Sequence, residues 1–292
     1  MSDPRPIGVF DSGVGGLTVL SEILRRAPTE STIYLGDNAR APYGTRSDGE
    51  VRSFSIEALD ALADRDVKAI VVACNTSTAI ALGDFRRRFE LPILGVIRPG
   101  AVTAALTTRN RRVGVIATAA TVRSHAYFAA IKDENPAVEI YEHATPAFVP
   151  LVEAGRLAGP DVEAAVEAAL APLLGRRDEA GEFVFPLPAS ARIDTLLLGC
   201  THYPLLRPLI AAAAGDNVAI VDSATATASA LVDLLAINGL DAPVASAGSP
   251  APAAGHVQLT TGDVDAFRTI AGRLFGEAFL GVESIDLAKV LS

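Results

Sequence analysis

Short apolar runs recur along the chain, and most are followed by longer stretches whose apolar positions return every three or four residues. The runs Pro6–Phe10, Ser31–Leu35, Ala69–Ala73, Ile93–Val96, Val113–Ile116, Val138–Tyr141, Thr195–Leu198 and Ala219–Val221 predict strands. Helices are predicted at Leu17–Arg26, Gly49–Asp64, Ser77–Arg87, Ala101–Thr107, Val122–Lys132, Asp161–Leu173 and Leu205–Ala214. Such alternation specifies βαβ units with mostly parallel sheets, hence an α/β fold. Gly175–Arg192 mixes charges with Pro and Gly, and Asp241–His256 is rich in Ala, Pro, Ser and Gly, so both read as surface loops or insertions.

The pattern also echoes itself. Ile7–Leu17 and Val113–Val122 each run from a strand through small and hydroxyl residues into a helix. Ala69–Thr78 and Thr195–Pro204 each run strand, small residue, Cys, Thr-containing turn, helix. Strand–turn–helix units resemble one another by chance, so the first echo alone decides nothing. Two echoes in the same order, one carrying both cysteines of the chain, suggest two related α/β halves.

With 292 residues, half of them hydrophobic, the chain can bury a large core in one or two domains. Its net charge of −9, with no basic stripe, argues against a nucleic-acid surface, although a local site can still oppose the global sign. The opening segment Met1–Asp11 lacks the basic start and long apolar stretch of a signal peptide, and no run approaches the roughly 20 apolar residues of a membrane span. A soluble, cytoplasmic protein is expected, in which a disulfide between the two cysteines is disfavoured.

A lone Cys at a strand end is ordinarily an inert core residue. Here Cys74 and Cys200 occupy matching positions at the carboxyl ends of apolar strands, the edge where open α/β sheets bind ligands. A following helix would stabilise a thiolate there, lowering its pKa from about 8.5. A metal site would want three or four ligands at recognisable spacing, and His125, His143 and His256 are scattered. A cysteine protease would leave one thiol idle. Paired acid/base groups instead suit removal of a proton from one face of a carbon and its return to the other, which is stereoinversion.

Other candidates surround these two. Asp11–Gly16, D-S-G-V-G-G, is a glycine-rich strand-to-helix turn that matches neither dinucleotide nor P-loop patterns; its donors could hold a carboxylate, or its glycines could serve only the turn. Asp11 near Cys74 would oppose a thiolate yet could relay a proton. Pro42-Tyr43-Gly44 lies in a predicted loop whose bland reading is an ordinary turn. Asn75, Thr76, Thr118, Thr121 and Thr201 are each helix caps or ligands, His202 a cap, core residue or proton donor, and Glu153 a solvated carboxylate or a site residue.

Assembled in order, Phe10–Val19, Tyr34–Gly44, Val72–Thr78, Ala117–Ser124, Pro150–Gly155 and Leu198–Leu206 closely resemble the glutamate racemases of bacterial cell-wall synthesis over nearly the whole chain. Relatives acting on aspartate usually carry another residue where this chain has His202, which favours glutamate. The resemblance implies two pseudo-symmetric three-layer α/β domains, residues 1–97 plus 210–292 and residues 98–209, with the active site in the interdomain cleft. It implies Cys74 and Cys200 as the catalytic pair, the former deprotonating D-glutamate and the latter L-glutamate. Asp11, Ser12, Pro42, Tyr43, Gly44, Asn75, Thr76, Thr118, Thr121, Thr201 and His202 would hold substrate or assist the thiols, with Glu153 near the second. Neither pyridoxal phosphate nor metal is implied, and a homodimer is. Another amino acid such as aspartate, or a non-catalytic two-lobed binding protein, are the alternatives that the residues leave open.

Overall fold

The computed structural model describes residues 2–177, 183–184, 192–243, 254–276, 279 and 281–287. The chain opens with β1 (Ile7–Asp11), α1 (Leu17–Arg26), β2 (Thr32–Gly36), α2 (Asp48–Ala63), β3 (Ala69–Val72), α3 (Asn75–Arg88) and β4 (Ile93–Gly95). It continues through α4 (Ile97–Thr107), β5 (Arg112–Ala117), α5 (Ala119–Ser124), α6 (Ala126–Glu134), β6 (Glu139–Ala144), α7 (Phe148–Glu153) and α8 (Pro160–Leu174). Next come the two-residue strands β7 (Arg176–Arg177) and β8 (Phe183–Val184), then β9 (Thr195–Gly199), α9 (Arg207–Ala214) and β10 (Ala219–Asp222). It closes with α10 (Ser223–Asn238), β11 (His256–Thr260), α11 (Val264–Phe275) and β12 (Val282–Ser284). The α/β class expected from the pattern is the one found.

Two compact units form, Met1–Val96 with Ala224–Ser292, and Ile97–Ser223. The first holds a six-stranded sheet in the order β12-β11-β2-β1-β3-β4, with every pairing parallel. The second holds a four-stranded parallel sheet, β10-β9-β5-β6. Residues 210–223, assigned above to the first domain, pack in the second unit, because β10 pairs with β9 from Ala219↔Thr195 to Asp222↔Leu198.

The period-2 alternation of β1 builds the first unit as three layers. Ile7 and Val9 point into one buried cluster with Leu17, Leu20 and Ile23 of α1, Leu231 of α10 and Phe267 of α11. Phe10 points into the opposite cluster with Val51, Leu59 and Leu62 of α2 and Phe85 of α3. In the second unit α4 packs on β9 and β10, and α8 on α9.

One departure from the prediction has a local cause. The helix expected over Val122–Lys132 breaks at His125, which takes left-handed backbone angles (φ 51°, ψ 25°) that divide α5 from α6. Helices α7, α10 and α11 and strands β11 and β12 were not predicted. Residues 178–182 and 185–191 of the first expected loop, and 244–253 of the second, lie outside the described residues.

At the amino-terminal edge of the first sheet, Lys68 and Glu30 form an ion pair at 2.5 Å, with side chains 0% and 4% exposed. Lys68 Nζ also donates to Asp3 O (2.8 Å), and Glu30 Oε1 accepts from the Ala242 N–H (2.7 Å). Lys68→Met is expected to lower unfolding stability by about 3–5 kcal/mol in urea titration, because it leaves a buried carboxylate uncompensated. Adding Glu30→Leu should restore much of the loss. A single variant within about 1 kcal/mol of wild type would contradict this reading.

Candidate active site

In both units the parallel strands end together, and the candidate residues lie at those ends. In the first unit β1 delivers Asp11 and Ser12, and the neighbouring β3 delivers Cys74. Cys74 caps α3 in extended backbone, its sulfur accepting from the Ser77 N–H at 3.5 Å, and Ser12 Oγ stands 3.6 Å from the same sulfur. Asn75 and Thr76 form the first turn of α3, both buried. Ser77 accepts a hydrogen bond from the buried Ser55 hydroxyl (2.9 Å), which fixes that turn against α2.

The thiol of Cys74 does not behave as the helix terminus alone predicts. Only 4% exposed, it is pushed up to about 11 by burial, with the Asp11 carboxylate adding to the rise. The contacts with Ser77 and Ser12 pull the other way and lose. Desolvation disfavours the charged form of any thiol, and a nearby anion does so again. Asp11, fully buried, therefore opposes the thiolate, and Cys74 is a thiol at neutral pH.

The glycine-rich turn is held by the same carboxylate. Asp11 Oδ2 accepts from the Gly13 N–H at 3.0 Å, and Tyr34 donates its hydroxyl to Gly13 O at 2.6 Å. Gly16 has an ordinary helical φ of −62°, so conformation does not require glycine there; space does. A Cβ on Gly16 would lie 2.4 Å from Asp11 Cβ and 2.8 Å from Tyr34 Oη. The glycine lets α1 start directly beside Asp11.

Pro42, Tyr43 and Gly44 sit on the loop after β2. Pro42 is exposed, Gly44 half-buried, and Tyr43 buried between Phe10 and Phe54. The Tyr43 hydroxyl donates to Asp37, one residue beyond β2. Burial and that carboxylate hold the phenol well above its usual range, so it stays a neutral donor.

In the second unit β9 delivers Cys200, 6% exposed, next to β5, which delivers Thr118. Here the match with Cys74 is partial. A single 3-10 turn, Tyr203–Leu206, follows before α9, so Cys200 caps no helix. Its neighbour is an imidazole instead: Cys200 Sγ lies 3.8 Å from His202 Nδ1, and His202 Nε2 lies 2.8 Å from Glu153 Oε1. Burial works against a charged His202, but the bonds to Cys200 and Glu153 outweigh it and push the imidazole up to about 10. His202 is thus an imidazolium at neutral pH. Thr201 Oγ1 stands 3.5 Å from the same Nδ1. Thr118 caps α5, accepting from the Thr121 N–H (3.4 Å), and the two hydroxyls lie 3.1 Å apart. Glu153 ends α7, which packs on the Tyr203–Leu206 turn.

Two tyrosines were missed as site components. The buried Tyr203 phenol shares hydrogen bonds with Thr145, accepting from its hydroxyl at 2.8 Å and donating to its carbonyl at 3.2 Å. Tyr127 is bonded to Ser223 and presses on the end of β9, where a Cβ on Gly199 would lie 2.8 Å from its ring. Burial holds both phenols above their usual range. A tyrosine inside a predicted helix carries no sequence signal for such a place; Tyr203, directly after His202, could have been found.

Among the described residues no group of three or more His, Cys, Asp or Glu side chains could hold a metal ion, and no helix is long and apolar enough to cross a membrane. Residues 7–231 match the family model described as Asp/Glu/Hydantoin racemase. The chain is 43% identical to a glutamate racemase of Shouchella clausii over 98% of its own length and 94% of the relative's. A solved glutamate racemase isoform from Bacillus anthracis superposes with a TM-score of 0.85 at 40% identity, covering 97% of this chain and 98% of that one. A glutamate racemase from Francisella tularensis, solved in complex with D-glutamate, gives 0.83 at 32% identity over 98% and 99%. Given this agreement of sequence and fold over nearly its whole length, the chain belongs to the Asp/Glu/hydantoin racemase family and is an isomerase.

Proposed function

We propose that the protein interconverts L- and D-glutamate without a cofactor, using Cys74 and Cys200 as the two bases. The observation that carries the reading is that each cysteine stands at a strand's carboxyl end with a titratable partner of its own: Asp11 for Cys74, and His202 with Glu153 for Cys200. A binding protein has no use for two such pairs. The choice of glutamate is supported by the activity of the similar racemases and by the D-glutamate bound to one of them.

The charges suggest the direction in which each group works. The imidazolium of His202 places a positive charge beside Cys200, while Cys74 rests as a thiol beside Asp11, and we assign Cys200 the part of the base towards L-glutamate. With L-glutamate bound, the Cys200 thiolate takes the Cα proton and becomes a thiol. The Cys74 thiol then protonates the carbanion from the other face, leaving a thiolate and D-glutamate. The reverse reaction runs the same transfers backwards. Ser12, Asn75, Thr76, Thr118, Thr121 and Thr201, with the Pro42–Gly44 loop, supply neutral donors for the substrate's carboxylates. Glu153 orients His202. The Cα–H is far less acidic than a thiol, so alignment and stabilisation of charge on the substrate must lower most of the barrier, each tenfold of rate needing about 1.4 kcal/mol. We extend the proposal to a cytoplasmic homodimer that supplies D-glutamate for peptidoglycan, the setting its resemblance implies.

In heavy water, D-glutamate formed from L-glutamate should carry deuterium at Cα by mass spectrometry; unlabelled product would rule out exchange through two thiols. Cys74→Ala and Cys200→Ala should each lower kcat by roughly a thousandfold or more with circular dichroism unchanged. Substantial residual turnover by either variant reassigns that residue.

A pH test addresses His202. Because its folded-state pKa is raised, the charged ring contributes stability that is fully present below the ordinary value of about 6.5 and is lost as pH rises through about 10. The difference in Tm between wild type and His202→Gln should therefore be largest near pH 6 and shrink towards about pH 10. A difference that is constant across this window would sink the assignment of an imidazolium.

A further inference from the structure

A second buried polar cluster of the first unit surrounds Asp37. Its side chain is fully buried, and a carboxylate in that setting needs its lone pairs filled. Oδ1 accepts from Thr261 Oγ1 at 2.6 Å, and Oδ2 accepts from Arg40 Nε at 2.7 Å and from the Tyr43 hydroxyl. Thr261 lies just beyond β11, outside residues 7–231 that the family model matches.

The hydroxyl of Thr261 works in both directions. It donates to Asp37 and accepts from the Ala39 N–H at 3.1 Å. Its own N–H donates to Gly36 O (3.1 Å), and the preceding Thr260 donates its hydroxyl to Asn38 Oδ1 (3.1 Å). The approach is close enough that a Cβ on Gly262 would lie 2.8 Å from Asn38 Cβ. On its other side the turn meets the glycine-rich loop, since a Cβ on Gly36 would lie 2.7 Å from Gly13 O. Residues 36–39 are thereby clamped between the loop carrying Asp11 and the segment Thr260–Gly262.

We infer that Thr261 is a positioning residue for substrate binding, fixing Tyr43 and the Pro42–Gly44 turn through the carboxylate of Asp37. The inference rests on the proposal that these three residues contact the amino acid. Without the Thr261 hydroxyl, Asp37 loses one donor and the Ala39 N–H loses its acceptor. Arg40 still pairs with Glu57 at 2.5 Å and lies 4.3 Å over the Phe54 ring, so the fold persists while the turn loosens. A looser turn must be ordered when substrate binds, which weakens binding more than it slows the chemical step.

Thr261→Val removes the hydroxyl and keeps the shape, whereas Thr261→Ser keeps the hydroxyl. The valine variant should raise KM for L-glutamate roughly tenfold while kcat changes less than about threefold, and serine should restore KM. Trypsin should cut after Arg40 or Arg46 roughly fivefold faster in the valine variant, with circular dichroism unchanged. That nicking assay needs no substrate. Wild type inactive on glutamate, with nicking still accelerated by valine, would overturn the glutamate reading and support the clamp. Nicking as slow as wild type's, KM unchanged against an active wild type, or serine as impaired as valine would each overturn the inference. Should the valine variant fail to fold, Thr261→Ala takes its place with the same readouts.

Discussion

Strands that all run the same way deliver their last residues to one edge, and that constraint organises both units of this molecule. In the first, β1 and β3 end side by side and set Asp11 next to Cys74; in the second, β5 and β9 set Thr118 near Cys200. Both cysteines are buried at that edge. Under those conditions the charge on a thiol is decided by its immediate neighbours rather than by solvent.

The two neighbours are opposite in sign. Asp11 brings a carboxylate to Cys74 and adds to a desolvation that already favours the thiol. Cys200 has His202 instead, kept charged against its own burial by the sulfur on one side and Glu153 on the other. Two residues of the same type thus meet surroundings of opposite charge, one a carboxylate and the other an imidazolium. The helix terminus at Cys74, which taken alone would favour a thiolate, is outweighed by burial and an anion in direct range.

Close backbone approach is the second recurring device. Gly16 brings α1 against Asp11, Gly199 brings β9 against Tyr127, and Gly262 brings the segment after β11 against Asn38. None of these three takes a left-handed backbone conformation. Their glycines serve packing, and each stands where a side chain of the site, or of the Asp37 cluster, is being fixed in place.

The α/β class, the strands that carry Cys74 and Cys200, and the motifs around them were legible in the sequence, because period-2 and period-3.6 patterns and strand-end cysteines are local properties. The individual elements α10, β11, α11 and β12, and the membership of β10 in the second sheet, were not, since their packing and pairing depend on partners distant in the chain. The charged neighbours of the thiols were also beyond reach: Asp11 lies 63 positions before Cys74 and Glu153 49 positions before His202. Sequence determined which atoms exchange protons in this proposal; only the tertiary structure decided what charge stands beside each, because desolvation and Coulomb interactions depend on distance in space and not along the chain.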